Sequence, residues 1–146
     1  MIITTTIETE IGAMIAGAVD DGICLLEFGD RKRLTTEYKE LIRYFRTPIA
    51  GGENQHISLL IEQLSAYFDG NLKEFSVPLV TPGTPFQQAV WRELTTIPYG
   101  STRSYMEQSV SLGKPGSIRA VANANGMNRI SIVIPCHNLN DGRFPL

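Results

Sequence analysis

Two periods of apolar residues run along the chain, and the change between them divides it. Ile2 to Ile7 is β-branched throughout, and Ile11 to Val19 is apolar with small residues, so both segments read as strands. Asp20-Asp21-Gly22 is turn chemistry, and Ile23 to Phe28 pairs back as a hairpin strand. The spacing then becomes helical. Leu34, Tyr38, Leu41, Ile42 and Phe45 predict a helix over 34–46, which Pro48 to Gly52 breaks. A second stripe, Ile57, Leu60, Ile61, Leu64, Tyr67 and Phe68, predicts a helix ended by Asp69-Gly70-Asn71. Phe75 to Val80 is extended, with Pro78 pointing to an edge strand. The first half is therefore an α/β domain, a small sheet with two helices.

Pro78, Pro82, Gly83 and Pro85 mark a boundary near residue 80, which predicts domains of 1–80 and 81–146. Beyond it the segments are short and helical. Thr84 is placed as an N-cap, Pro85 at the first helical position and Gln87 to close a capping box, with Phe86, Ala89, Val90 and Leu94 as the buried face. Ile97-Pro98-Tyr99-Gly100 ends that helix. Ser104-Tyr105-Met106-Glu107 is a second capping box, opening a helix that stops at Gly113. After the turn Lys114-Pro115-Gly116, Ser117 is placed to cap a third helix, Ile118 to Asn125. Two short helices about a glycine-containing turn have the form of a helix-turn-helix. The third helix has a face of small residues and one long basic side chain, Arg119. That pattern suits either close helix packing or close approach to a nucleic-acid groove.

Composition adds a charge asymmetry. The 146 residues carry a net charge of −2, but residues 1–80 balance at −5 and residues 81–146 at +3, so a polyanion would meet the second half. An apolar content of 42% and a charged content of 19% are those of a soluble globular protein able to bury a core without staples. No apolar run reaches the ~20 residues of a membrane span, and Met1 to Glu10 does not form a signal peptide. Cys24 and Cys136 are the cysteines and His56 and His137 the histidines. No paired spacing supports zinc, and free thiols fit a reducing cytoplasm. Cys24 sits in an apolar strand and His56 near a helix start, where both have bland roles.

The chemistry concentrates in Ile130-Ser131-Ile132-Val133-Ile134-Pro135-Cys136-His137. Pro135 fixes its own φ and biases Ile134 to an extended shape, so the backbone entering Cys136 is held stiffly. A thiol is a nucleophile as thiolate, and a basic neighbour promotes that form. Alone, a Cys-His pair is more often buried filler, since adjacency in sequence does not make side chains face each other.

Together, Gly83-Thr84-Pro85-Phe86-Gln87-Gln88-Ala89-Val90-Trp91, Ile97-Pro98-Tyr99-Gly100, Ser104-Tyr105, Arg119-Ala120-Val121, Asn125-Gly126-x-Asn128 and Ile134-Pro135-Cys136-His137 resemble the O6-alkylguanine-DNA alkyltransferases. The resemblance is specific from about residue 83 to 137 and looser before it. It implies a ribonuclease H-like first domain and a mainly α second domain with a winged-helix-like helix-turn-helix. The implied activity is DNA repair: transfer of an alkyl group from O6 of guanine, or O4 of thymine, to the protein's own cysteine, once per molecule and with no cofactor or metal. Such chemistry requires the base to leave the stack. By the resemblance, Arg119 fills the gap left in the duplex, while Tyr105, Lys114, Ser117 and Ala120 also meet DNA. Cys136 accepts the alkyl group, His137 draws off the thiol proton through a water, Tyr105 protonates the departing guanine and Asn128 braces the turn. The implied partner is double-stranded DNA carrying O6-alkylguanine, with no membrane and no obligate protein partner.

The chain departs from the family pattern in three places. Asn128 is followed by Arg129 where the family has proline, and His137 by Asn138 where it has arginine. Residues 138–146 do not resemble the family's continuation, a pocket loop, a glutamate that orients the histidine and a final helix. These departures lead us to expect a second domain incomplete at its C-terminus, in a truncated or frame-shifted member with slow or absent transfer. The competing expectation is an inactive DNA-binding remnant of the same family. Retention of Cys136 argues against a dedicated lesion-flagging role, and no oxyanion-hole motif supports a thiol hydrolase.

Overall fold

The computed structural model describes every residue except Arg31, Tyr99, 136–138 and 141–146; of Leu139 and Asn140 it describes the backbone. The chain divides into two compact units, Met1–Pro82 and Gly83–Leu146.

In the first unit β1 (Ile2–Thr9), β2 (Gly12–Val19) and β3 (Gly22–Phe28) form an antiparallel meander. A short β4 (Ile49–Gly51) adds in parallel beside β1, giving the order β3-β2-β1-β4. Residues 48–52 thus do more than break a helix: Pro48 O accepts from Ile2 N at 3.1 Å, and Gly52 N donates to Thr4 O at 3.2 Å. Helices α1 (Leu34–Phe45) and α2 (Gln55–Phe68) bury Leu41, Ile57, Leu60 and Leu64. Leu41 packs with Ile2, Cys24 and Leu25, flanked by Leu34, Tyr38 and Phe45. Burial also holds the Tyr38 hydroxyl's pKa above its ordinary value. Asn54 caps α2 by accepting from His56 N and Ile57 N. His56 is half-buried, with Nε2 2.9 Å from the Asp20 carbonyl oxygen.

The expected edge strand over 75–80 is reduced to a single bridge, Leu79 to Ile23. The backbone amides of Ser76 and Val77 donate instead to Gln63 Oε1 of α2 at 3.1 and 3.2 Å, which removes them from any ladder. Past that anchor, Ile23 N donates to Pro78 O and Val80 N to Ile23 O, each at 2.8 Å. The segment passes so close that a Cβ at Gly22 (φ +155°) would stand 2.5 Å from Pro78 O, so glycine is required there for space as well as conformation.

The second unit contains α3 (Pro85–Leu94), β5 (Arg103–Ser104), α4 (Tyr105–Ser111), α5 (Ile118–Gly126) and β6 (Leu139–Asn140). Both capping boxes form: Thr84 with Gln87 opens α3, and Ser104 with Glu107 opens α4. Trp91 joins Val90 and Leu94 on the buried face of α3, whereas Phe86 and Ala89 are only half-buried. The Trp91 indole N–H donates to Ala124 O of α5 at 2.9 Å. A Cβ at Gly83 would meet the Trp91 ring at 2.7 Å, which gives the glycine before Thr-Pro-Phe-Gln a packing reason. Among the described residues no helix is long and apolar enough to cross a membrane.

Candidate nucleic-acid interface and acceptor turn

Helices α4 and α5 stand on either side of the turn 112–117, where Lys114 N donates to Ser109 O at 2.9 Å and Ser117 N donates to Lys114 O at 3.0 Å. Ser117 holds the cap position of α5, and its carbonyl accepts from Val121 N at 2.9 Å. Its side chain makes no capping bond, however, and its backbone (φ −109°, ψ 27°) is not the extended conformation from which serine caps. Ser117 thus holds the expected cap position but caps through its backbone.

Helix α5 buries Val121, Ala124 and Asn125 and exposes Arg119, Ala120 and Asn123. Its small residues therefore divide. Ala124 lets α5 sit against Trp91, while Ala120 lies exposed beside Arg119. Lys114, Pro115 and Gly116 are exposed on the preceding turn. This leaves a cationic strip with little side-chain bulk, the form that can approach a phosphate backbone closely. Tyr105 opens α4 and is half-buried.

Two residues after α5, Asn128 is 4% exposed and spans the following turn. Its Oδ1 accepts from Ile130 N at 2.9 Å, and its Nδ2 donates to Ile134 O at 3.1 Å and, longer, to Ile130 O at 3.4 Å. Inside that span Ile132 takes φ +71°, with Val133 N donating to Ser131 O at 2.8 Å. A β-branched residue in the left-handed region is strained, and such a conformation persists only where its surroundings over-determine it. The Asn128 side chain supplies that restraint, with Ile130, Val133 and Ile134 buried about it.

The turn leads directly to Pro135. Cys136 and His137, the expected acceptor and base, lie outside the described residues, as does Tyr99. The backbone is described again at β6, where Leu139 and Asn140 pair in parallel with Arg103 and Ser104 of β5. Arg103 is held in turn by an ion pair with Glu93 of α3, whose side chain is 8% exposed. Before Cys136-His137 the chain is thus tied to the end of α5 through Asn128, and after it to β5, the strand that leads into α4.

Electrostatics around α4 follow from its cap. The Glu107 carboxylate accepts from Ser104 N at 3.0 Å, and its pKa is lowered by hydrogen bonds from the Ser104 backbone and side chain and by the nearby Arg103 charge. Among the described residues, no three His, Cys, Asp or Glu side chains are grouped to hold a metal ion.

Beyond the expected residues the unit contains a pair that the sequence pattern conceals. Gln108 of α4 and Asn125 of α5 are 0% and 4% exposed and bond each other through both amides. In α4 the apolar residues Met106 and Val110 face out, and polar Gln108 and Ser109 face in. A search for apolar stripes points to the wrong face of this helix, and only that inverted pattern would have signalled the pair.

The chain matches two family models in tandem: the 6-O-methylguanine DNA methyltransferase ribonuclease-like domain over residues 2–81 and its DNA-binding domain over residues 85–140. A methylated-DNA–protein-cysteine methyltransferase from Methanosarcina barkeri is 38% identical over 143 residues, covering 94% of this chain and 83% of the relative. Among solved structures, the O6-methylguanine methyltransferase of Mycobacterium tuberculosis is similar at a TM-score of 0.81 and 37% identity, covering 97% of this chain and 80% of that one. Mycobacterium tuberculosis OGT in complex with DNA is similar at a TM-score of 0.81 and 37% identity, covering 96% and 79%.

Proposed function

The chain belongs to the 6-O-methylguanine DNA methyltransferase family, and we propose from that premise that it repairs DNA by moving an alkyl group from O6 of guanine onto Sγ of its own Cys136. DNA is its partner, and the cationic strip of Lys114, Ser117, Arg119 and Ala120 is the surface that meets it. Arg119, exposed at the start of α5, enters the stack as the lesion base leaves it.

The transfer is an in-line displacement. His137, through a water, takes the Cys136 thiol proton. The thiolate sulfur forms a bond to the alkyl carbon as the bond from that carbon to O6 breaks, and the electron pair departs on guanine. The Tyr105 hydroxyl gives guanine a proton, which makes it a better leaving group. The product thioether does not return the alkyl group, so each molecule acts once. These steps use side chains of the protein alone. The specificity is for O6-alkylguanine, or O4-alkylthymine, in duplex DNA, with no protein partner. A reducing cytoplasm is where Cys136 would keep its thiol.

The observation that carries this reading is the Asn128 brace. A buried amide holds a strained turn that runs into Pro135-Cys136, at the end of the helix that exposes Arg119. Incubating the protein with a duplex carrying one O6-methylguanine and measuring intact mass tests it. A gain of one methyl per molecule, even if slow, is the expected result. Binding of the duplex without mass gain would instead give the DNA-binding remnant, and no binding would overturn both.

A further inference from the structure

We propose that Gln108 is a positioning residue for the transfer: paired with Asn125, it fixes the end of α5 from which the Asn128 brace and the turn before Cys136 are hung. The inference rests on the alkyl-transfer reading for its reaction, though not for its geometry.

The placement of Gln108 calls for a reason. Helix α4 exposes Met106 by 51% and Val110 by 57% while burying Gln108 completely. Burying an amide is unfavourable unless its hydrogen bonds are made. They are made by one partner almost alone. Asn125 Nδ2 donates to Gln108 Oε1 at 2.8 Å, and Gln108 Nε2 donates back to Asn125 Oδ1 at 3.2 Å, with a longer bond to Val90 O at 3.4 Å. A reciprocal amide pair closes at one separation and one orientation, whereas two apolar side chains would tolerate sliding. The pair therefore sets the register of α4 against α5.

From Asn125 the bonding continues toward the reacting residue. Asn128 N donates to Asn125 O at 3.3 Å, Asn128 Oδ1 accepts from Ile130 N, and Asn128 Nδ2 donates to Ile134 O, two residues before Cys136. The same α5 presents Arg119 and Ala120 at its other end. Gln108 thus holds the DNA-facing surface and the acceptor turn in one frame. Coupling along this path is a measurable quantity.

The measurement is amide hydrogen exchange, resolved at Ile130 and Ile134, on the whole chain and its Gln108→Met variant. Exchange at both should rise about tenfold with the amides of α2 and α3 unchanged, since only the frame of the turn is loosened. Single-turnover transfer at saturating duplex should fall about tenfold while duplex affinity changes less than about threefold, a split that general destabilisation does not produce. The exchanged pair Gln108→Asn/Asn125→Gln should restore both. If Gln108→Met does not fold, Gln108→Asn alone withdraws the amide by one methylene and replaces it. Unchanged exchange at Ile130 and Ile134, or a uniform rise across the second unit, overturns the proposal. If the unaltered protein transfers no methyl group, the alkyl-transfer reading fails, and the exchange pattern still decides this one.

Discussion

In the first unit the buried positions are filled by Ile2, Met14, Ile23, Cys24, Leu25, Leu26, Leu41, Leu60 and Leu64, with Glu27 and Glu37 among them. In the second, Val90, Trp91, Leu94, Val121, Ile130 and Ile134 share the interior with Glu93, Ser104, Gln108, Ser109, Asn125 and Asn128. The apolar set is non-directional and stabilises through area removed from water. Bonds of fixed length and direction cross the second interior: Trp91 to Ala124, Gln108 to Asn125, Arg103 to Glu93, and Asn128 to both ends of its turn. A unit whose work is to be stable can be filled with leucine and isoleucine, while a unit proposed to hold a DNA-facing helix and an acceptor turn in register needs buried groups that tolerate one arrangement.

Stability and chemistry should therefore separate between the two units. The largest effect on stability is expected from Leu41→Ala, which empties a fully buried position in the first core and should cost about 2–5 kcal/mol in urea unfolding. The transfer rate per folded molecule should change less than about twofold, because the proposed transfer residues all lie beyond Gly83. A rate that falls with stability would show that the first unit takes part in the chemistry. Next in size is Arg119→Ala. Transfer from a duplex should fall about tenfold, equivalent to ~1.4 kcal/mol, with reaction toward a free O6-alkylguanine base unchanged. An equal loss on both substrates would place Arg119 outside the DNA-facing strip.

The smallest effect is expected at the α4 cap. The pKa of Glu107 is lowered in the folded chain, chiefly by hydrogen bonds from Ser104, so its contribution is present above the ordinary carboxylate range and lost as pH falls through the lowered value. The difference in urea midpoint between the protein and its Glu107→Ala variant should be largest at neutral pH and shrink on acidification. A difference that grows instead would reverse the assignment of the cap.

How far the sequence discloses this molecule depends on whether a contact leaves a period behind. β1 to β3, α1, α2 and both capping boxes are legible because their apolar spacing or their Ser/Thr-x-x-Glu/Gln signature is local. β4 is not, since Ile49-Ala50-Gly51 becomes a strand only by lying beside β1, far away in sequence. The strand expected over 75–80 fails for a related reason: the Gln63 side chain takes the amides of Ser76 and Val77 that a ladder would need. At the site, motif resemblance leads to the proposal of Cys136, His137, Tyr105, Asn128 and Arg119 as reacting and DNA-facing residues, of which Cys136 and His137 lie outside the described residues. The Gln108–Asn125 pair escapes a pattern search because α4 turns its polar residues inward, which only the partner on α5 makes sense of.

The proposal that chemistry belongs to the second unit is tested most directly by locating the transferred group. Cys24, 1% exposed in the first core, and Cys136, beyond the braced turn, give the experiment its internal control. After reaction with a duplex carrying O6-methylguanine, peptide mapping by mass spectrometry should find methyl on Cys136 and none on Cys24. The signal should vanish in Cys136→Ala and persist in Cys24→Ala. Methyl on Cys24, or a methylated chain whose Cys136 peptide is unmodified, would contradict the account.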